Sequence, residues 1–414
     1  MTGLDLDFVR SNFPAFSEPS LAGQHFVENA GGSYACKQTI EGLNSFYRKT
    51  KVQPYLPHRA GIAAGKAMDR AEARWAEALG VSPEEISFGP STSANSYVLA
   101  QAFRTWLSPG DEIIVTNQDH EANTGAIRRV AEQNGFTVRE WAVDPATGQL
   151  PVAGLEALLN DKTALVCMPH CSNIVGQENP VAEWTRIIKQ APRKPWVIVD
   201  GVSRAPHSIP NVAEIGCDVY FFSLYKVYSV HQGMMVIRKD LNEALPNQGH
   251  FFNEAYPTKR FTPAGPDHAQ IAASAGVLDY IEALDNHHGN VGGGTADLAG
   301  AVQRVNGLWK AHEDHLLEPL LDYLRGRNTL RIIGQDHIGD RHPTIALQTD
   351  KDPEALATAL GDRGIMAGFG DFYAYRLVKA LDIDPKRGVV RLSLVHYNSH
   401  DDVQATCRAL DAIL

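Results

Sequence analysis

Residues Val219–Gly233 read VYFFSLYKVYSVHQG. The run Val219–Phe222 is apolar and aromatic, as a strand buried on both faces must be, and Lys226 stands just beyond its end. Lysine is rarely placed there for packing, because burying an unpaired ammonium is costly. A lysine desolvated among other groups loses its proton more readily and becomes a nucleophile able to form a Schiff base. Upstream, Trp196–Val199 is a second apolar run, ending in Asp200 and Gly201. A carboxylate and a lysine at two strand ends match what pyridoxal phosphate chemistry requires: an amine for the cofactor aldehyde and an acid for its pyridine nitrogen.

Outward from this pair, helix-like and strand-like segments alternate. Helices are expected over Ala67–Leu79, Ser93–Leu107, Glu121–Asn134 and Val181–Gln190. Strands are expected at Ile86–Phe88, Glu112–Thr116, Thr137–Trp141 and Ala164–Met168, then at the runs ending in Asp200 and Ser223, and at Met234–Ile237. The alternation predicts an α/β fold, a mostly parallel sheet with helices on both faces. In such sheets ligands bind beyond the carboxyl ends of the strands. His120, Asn173, Asp200 and Lys226 all fall just after predicted strands. A long apolar helix is expected over His268–Leu284, followed by the break DNHHGNVGGGT, Asp285–Thr295, read as a flexible segment near a domain junction. Beyond it, helices at Ala296–Leu324 and Pro353–Gly361 and strands at Leu330–Ile333, Thr344–Gln348 and Val389–Leu394 predict a smaller α+β C-terminal domain. The expected division is an N-terminal segment, 1–20, packing with the small domain; a large cofactor-binding domain, 21–290; and the small domain, 291–414.

At 414 residues, two domains are the default, and 44% apolar with 21% charged residues is an ordinary globular composition. A net charge of −10 with no basic block argues against nucleic acid as the main partner. The start, Met1–Phe16, is acidic and amphipathic, unlike a signal peptide. No apolar stretch reaches the roughly 18 residues of a membrane span. The expected location is therefore the cytoplasm. Cys36, Cys167, Cys171, Cys217 and Cys407 are scattered without zinc-site spacing, so buried free thiols and no metal are expected.

These motifs together resemble the class V aminotransferase and cysteine desulfurase group of fold-type I pyridoxal phosphate enzymes. The match runs from FVENAGG, Phe26–Gly32, to VVRLSLVHYNSHDDV, Val389–Val403. The resemblance implies that Lys226, in SLYK, forms the internal aldimine and that Ser223 binds the cofactor phosphate. Asp200, in VIVDGVSRAPH, would pair with the pyridinium nitrogen; alone, such an Asp is more often a cap or turn former. Ser203 stands near the place of the cofactor's phenolic oxygen. His120, in TNQDHEAN, would stack on the ring, its bland alternative being a structural histidine. Asn173, in HCSNIVGQENP, would contact the cofactor oxygen or a substrate carboxylate. Thr92 and Ser93, in FGPSTSANSY, would grip the phosphate at a helix start, although a plain N-cap is the competing reading. Arg391 would clamp a substrate α-carboxylate, against a structural ion pair as the alternative. Ser-x-x-Lys is also an acylation motif of penicillin-binding proteins, but their SDN- and KTG-like partners do not occur.

Three departures narrow the expectation. Tyr373, in GIMAGFGDFYAYR, stands where desulfurases carry their nucleophilic cysteine, and Cys407 in the last helix is no substitute. Gly368 stands where a neighbouring arginine is usual. Tyr225 replaces the histidine before the lysine, where it would still contact the cofactor, and Gly265 replaces a threonine that reaches the phosphate from a second subunit. The resemblance thus implies a homodimeric enzyme acting on an α-amino acid. Its reaction would be a desulfurase-like elimination or C–S cleavage without a catalytic cysteine, or a class V transamination. Epimerisation is an alternative, and a catalytically silent binding subunit of the same fold is another. Tyr225, Tyr228, Tyr373 and His396 are candidate second acids.

Overall fold

The computed structural model describes residues 3–289 and 297–414. Its strands, in chain order, are β1 His25–Phe26, β2 Ile86–Gly89, β3 Glu112–Thr116, β4 Thr137–Trp141, β5 Thr163–Pro169, β6 Trp196–Asp200, β7 Val219–Ser223, β8 Gly233–Ile237, β9 Leu330–Ile332, β10 Thr344–Thr349, β11 Ile365–Met366, β12 Gly368–Gly370 and β13 Val389–Ser393. Seven form the main sheet in the order β2-β8-β7-β6-β5-β3-β4. The strands from β3 to β7 run parallel, whereas β8 is antiparallel to both β7 and β2. The link Leu224–Gln232 explains the reversal. It is too short for the crossover of about a dozen residues that a parallel neighbour requires. Lys226 sits in that link.

Successive side chains of the central strands feed opposite cores, because side chains alternate across a sheet. Val197, Val199, Tyr220, Phe222, Met234 and Val236 join one cluster, with Trp75 and Trp184 from covering helices. Ile198, Val219, Phe221, Met235 and Ile237 join the other, beneath Thr92–Trp106 and Glu121–Asn134. The expected α/β sheet with helices on both faces is therefore present. A second, antiparallel sheet of order β12-β13-β10-β9 buries its apolar residues against the C-terminal helices Pro353–Gly361 and His400–Ile413. The short β1 pairs in parallel with β11, and Glu28 bridges to Ser393, so the segment His25–Glu28 is woven into this second layer. Helix Leu298–Arg325 belongs to both cores: Val302, Val305 and Trp309 lie in the first, Leu316 to Leu324 in the C-terminal one.

Most predicted elements lie within a residue or two of their observed bounds. The long helix over His268–Leu284 is instead two, His268–Ser274 and Gly276–His287. Gly276 is where another helix crosses closely: a Cβ there would lie 2.4 Å from the Thr39 nitrogen. Residues 290–295 of the glycine-rich break, and with them the expected boundary at 290/291, lie outside the described residues. All five cysteines are free; four are buried and Cys407 is partly so. No helix among the described residues is long and apolar enough to cross a membrane.

Gly233 opens β8 directly under the start of helix Thr92–Trp106. A Cβ there would lie 2.3 Å from the Ser91 carbonyl carbon and 2.4 Å from the Thr92 nitrogen. Gly233→Ala must push that helix start outward. We expect a loss of about 1–3 kcal/mol, typical of overpacking, seen as a lower melting temperature, together with weaker cofactor retention. An unchanged melting curve would contradict the close approach.

Candidate active site

β6 and β7 are parallel neighbours, so Asp200 and Ser223 end at the same edge of the sheet. The Asp200 carbonyl accepts the His170 N–H at 2.7 Å, and its carboxylate accepts the Val202 N–H at 2.8 Å. Burial pushes this carboxyl up to about 6, against the Val202 hydrogen bond and the nearby Lys226 charge. After β7 the chain turns through a 3-10 segment, Leu224–Lys226. Ser33 pins that turn: its hydroxyl donates to the carbonyls of Tyr225 and Lys226 at 3.2 and 3.0 Å and accepts the Tyr228 N–H at 2.9 Å. Burial pulls Lys226 down to about 8; Arg391 adds to the shift, while Asp200 and Glu28 oppose it.

Helix Thr92–Trp106 starts at the same edge. Ser91 is its cap, accepting the Ala94 N–H at 3.1 Å, and Thr92 shares a hydroxyl contact of 2.8 Å with Ser223. First-turn N–H groups have no partner within a helix and favour anions. Two hydroxyls beside such a helix start suit a phosphate. His120 caps helix Glu121–Asn134, its Nδ1 accepting the Ala122 N–H at 3.0 Å, which leaves any ring proton on Nε2. Burial pulls His120 down to about 3, helped by the charges of Lys226 and Arg391, so the ring is neutral near pH 7. Asn173 donates to the Phe372 carbonyl at 2.9 Å.

One cavity thus gathers Thr92, Ser93, His120, Asn173, Asp200, Ser203, Ser223, Tyr225 and Lys226. These donors fit pyridoxal phosphate: a phosphate cradle at one end, a buried carboxylate without a directly bonded cation at the other, an amine between them and a neutral ring beside them. Arg391 stands next to this wall, its guanidinium donating to the Asn173 carbonyl at 3.2 Å. It is already paired, forming a two-oxygen contact with Glu28 and lying 3.7 Å over the Phe372 ring. The structural ion pair weighed against the clamp role is therefore present in this state. Tyr225 stacks on His231 at 4.7 Å. Tyr373 is 72% exposed, 5.3 Å from the His120 ring, and its carbonyl accepts the Glu121 N–H at 2.7 Å. Phe372 and Tyr373 both have positive φ, 50° and 59°, a costly conformation for aromatic residues that these contacts hold in place. Tyr228 and His396 do not line the cavity; Tyr228 donates to the Pro206 carbonyl and His396 meets the Tyr280 hydroxyl at 2.8 Å.

Sequence reasoning missed four contributors. Cys171 lines the cavity, and its position two residues after β5 could have signalled it. Ser33, Glu28 and Phe372 come from distant segments and carry no local signal. A second unpredicted group, His207, Glu313 and His342, lies buried behind the site with its ligand atoms within 4.8 Å of one another. The two rings stack face to face at 4.5 Å, and each gives a nitrogen to a carboxylate, His207 to Glu313 and His342 to Glu178, both at 2.8 Å. Faces rather than lone pairs meet, so the group reads as a clamp. It ties the segment following Asp200 to the long helix and to the loop before β10.

The family model described as aminotransferase class-V matches residues 25–288 and 304–406. The aminotransferase-like protein FGM3 of Gibberella zeae is 29% identical over 424 residues, covering 100% of this chain and 99% of its own. The cysteine desulfurase-like protein ustD of Aspergillus flavus is 26% identical, covering 99% of this chain and 91% of its own. Among solved structures, the apo cysteine desulfurase of Thermococcus onnurineus superposes with a TM-score of 0.86 at 21% identity, covering 100% of this chain and 98% of that one.

As the expected Schiff-base lysine, Lys226 would take up the cofactor through its neutral amine, which forms as pH rises through its lowered pKa. In cofactor-free protein, the rate of pyridoxal phosphate uptake should therefore climb with a midpoint at about 8, well below the ~10.4 of an ordinary lysine. Stopped-flow absorbance across pH checks this; a midpoint near the ordinary value would mean that the amine is not desolvated.

Proposed function

The chain belongs to the aminotransferase class-V family of pyridoxal phosphate enzymes, and from that premise we propose that it is a desulfurase-like lyase acting on an α-amino acid, with Lys226 as its catalytic amine. The observation that carries the reading is the buried Lys226 facing the strand end of Asp200 in one cavity. Pyridoxal phosphate, when bound, supplies an electron sink conjugated to the substrate's α-carbon. Thr92, Ser93 and Ser223 would hold its phosphate, Asp200 its ring nitrogen, and His120 would lie beside the ring. Ser203 and Tyr225 border it. Asn173 and Arg391 orient the substrate carboxylate. Lys226 Nζ would take the α-proton, and departure of a β-substituent with its bonding electrons would complete an elimination.

Support for elimination without a persulfide comes from the thiols. Tyr373 occupies the loop beside His120. Burial pushes the Cys407 thiol up to about 11, and it does not line the cavity. Burial pushes Cys171 far above the ordinary thiol range, which keeps it protonated. Transamination is the second reading, favoured by the likeness to an aminotransferase-like relative across the full chain. Epimerisation would need an acid on the opposite face, for which Tyr373, its ring 5.3 Å from that of His120, is the candidate. We further propose a homodimer. A groove lined by Phe88, Pro90, Gln232, Phe261 and Gly265 borders the phosphate end at Ser91, where a second copy would complete the site.

Borohydride treatment of the cofactor-loaded protein should fix the pyridoxyl mass on Lys226, and mapping it to another lysine overturns the assignment. Lys226→Ala should lower turnover by roughly 10²–10⁴-fold or more. In an amino-acid panel read for pyruvate, ammonia, sulfide and keto acids, Cys407→Ser should leave the products unchanged. Cys407-dependent sulfide would restore the persulfide route. Absence of any spectral change with every amino acid would favour a silent binding subunit.

A further inference from the structure

Glu28 lies just past β1 and grips Arg391 with both carboxylate oxygens, Nε to Oε2 at 3.2 Å and the terminal nitrogen to Oε1. This two-bond fork is the geometry an amino-acid carboxylate would adopt on the same guanidinium. The slot that receives Glu28 is cut by two glycines. A Cβ on Gly31 would lie 2.9 Å from Oε1, and one on Gly368 would lie 2.7 Å from the carboxyl carbon. The glycine that stands in place of an expected arginine thus makes room for an anion.

The two partners are not equally fixed. The Arg391 side chain is 3% exposed, the Glu28 side chain 20%. Arg391 is also held independently, by the Asn173 carbonyl on one side and the Phe372 ring on another. Departure of Glu28 would leave the guanidinium where it is. Removing a carboxylate outright would strand a buried charge, which is strongly unfavourable, but exchanging one carboxylate for another would not.

We propose that Glu28 is a resident carboxylate for Arg391, and that a substrate binds by displacing it. The inference rests on reading Arg391 as the site of the substrate carboxylate. Carboxylate affinity is then a difference between two ion pairs, which makes Glu28 a specificity-determining residue.

The test uses cofactor-loaded protein and two probes, L-alanine and ethylamine, which lacks the carboxylate. Calorimetry gives the ratio of their affinities. Glu28→Gln keeps the shape but weakens the competitor, and the ratio should rise about tenfold, equivalent to about 1.4 kcal/mol. Gly368→Ala pushes the carboxylate out of its slot and should move the ratio the same way, carrying the test alone if Glu28→Gln fails to fold. Arg391→Ala should abolish the preference for alanine. If Arg391→Ala leaves the ratio unchanged, the carboxylate role of Arg391 fails, and this proposal with it. If Arg391→Ala lowers the ratio while the other two variants leave it unchanged or lower it, Glu28 is a permanent brace and displacement alone is overturned.

Discussion

Charge that has been taken out of water has to be neutralised within the pocket, and the site is organised around that requirement. Lys226 and Arg391 are the buried cations, Asp200 and Glu28 the anions that moderate them. Coulomb interactions among them are stronger than in water because the surrounding strands are dry on both faces. Burial raises Asp200 and lowers Lys226, so their titrations are drawn toward each other, to about 6 and about 8. A carboxyl and an amine that can both lose or keep a proton near neutrality are the raw material of proton transfer. Glu28 and Arg391 set the background field in which that happens.

The fold supplies this arrangement cheaply. Parallel strands bring Asp200 and Ser223 to one edge, and helix starts at Thr92 and Glu121 arrive at the same edge. The antiparallel return of β8 then shortens the link enough to fix Lys226 in a single turn, with Ser33 fastening its carbonyls. The His207–Glu313 contact and the stacking of His207 on His342 hold the segment that leaves Asp200. Side chains from five separate segments of the chain therefore share one cavity.

What could be read from the sequence was whatever one strand or helix carries by itself. Glu112–Thr116, Glu121–Asn134, Thr137–Trp141 and Val181–Gln190 follow from local periodicity, and their observed bounds agree with it. The cavity residues near strand ends were legible because parallel sheets place their ends together. Glu28 was in view within FVENAGG, yet its role was not, since nothing in that stretch points to a residue 363 positions away. Cys171 was taken for an ordinary core thiol, although it too follows a strand end. The split at Ala275 depends on another helix crossing at Gly276, information that apolar periodicity does not hold.

Helix Leu298–Arg325 gives its first half to one core and its second half to the other. The two layers are thereby geared together, and the woven β1 adds a second tie. Opening this protein by swinging the layers apart would tear apolar contacts along one continuous helix. Ligand passage that leaves the layers in place would need only small parts to move, such as the exposed Tyr373 or, as proposed above, the Glu28 carboxylate.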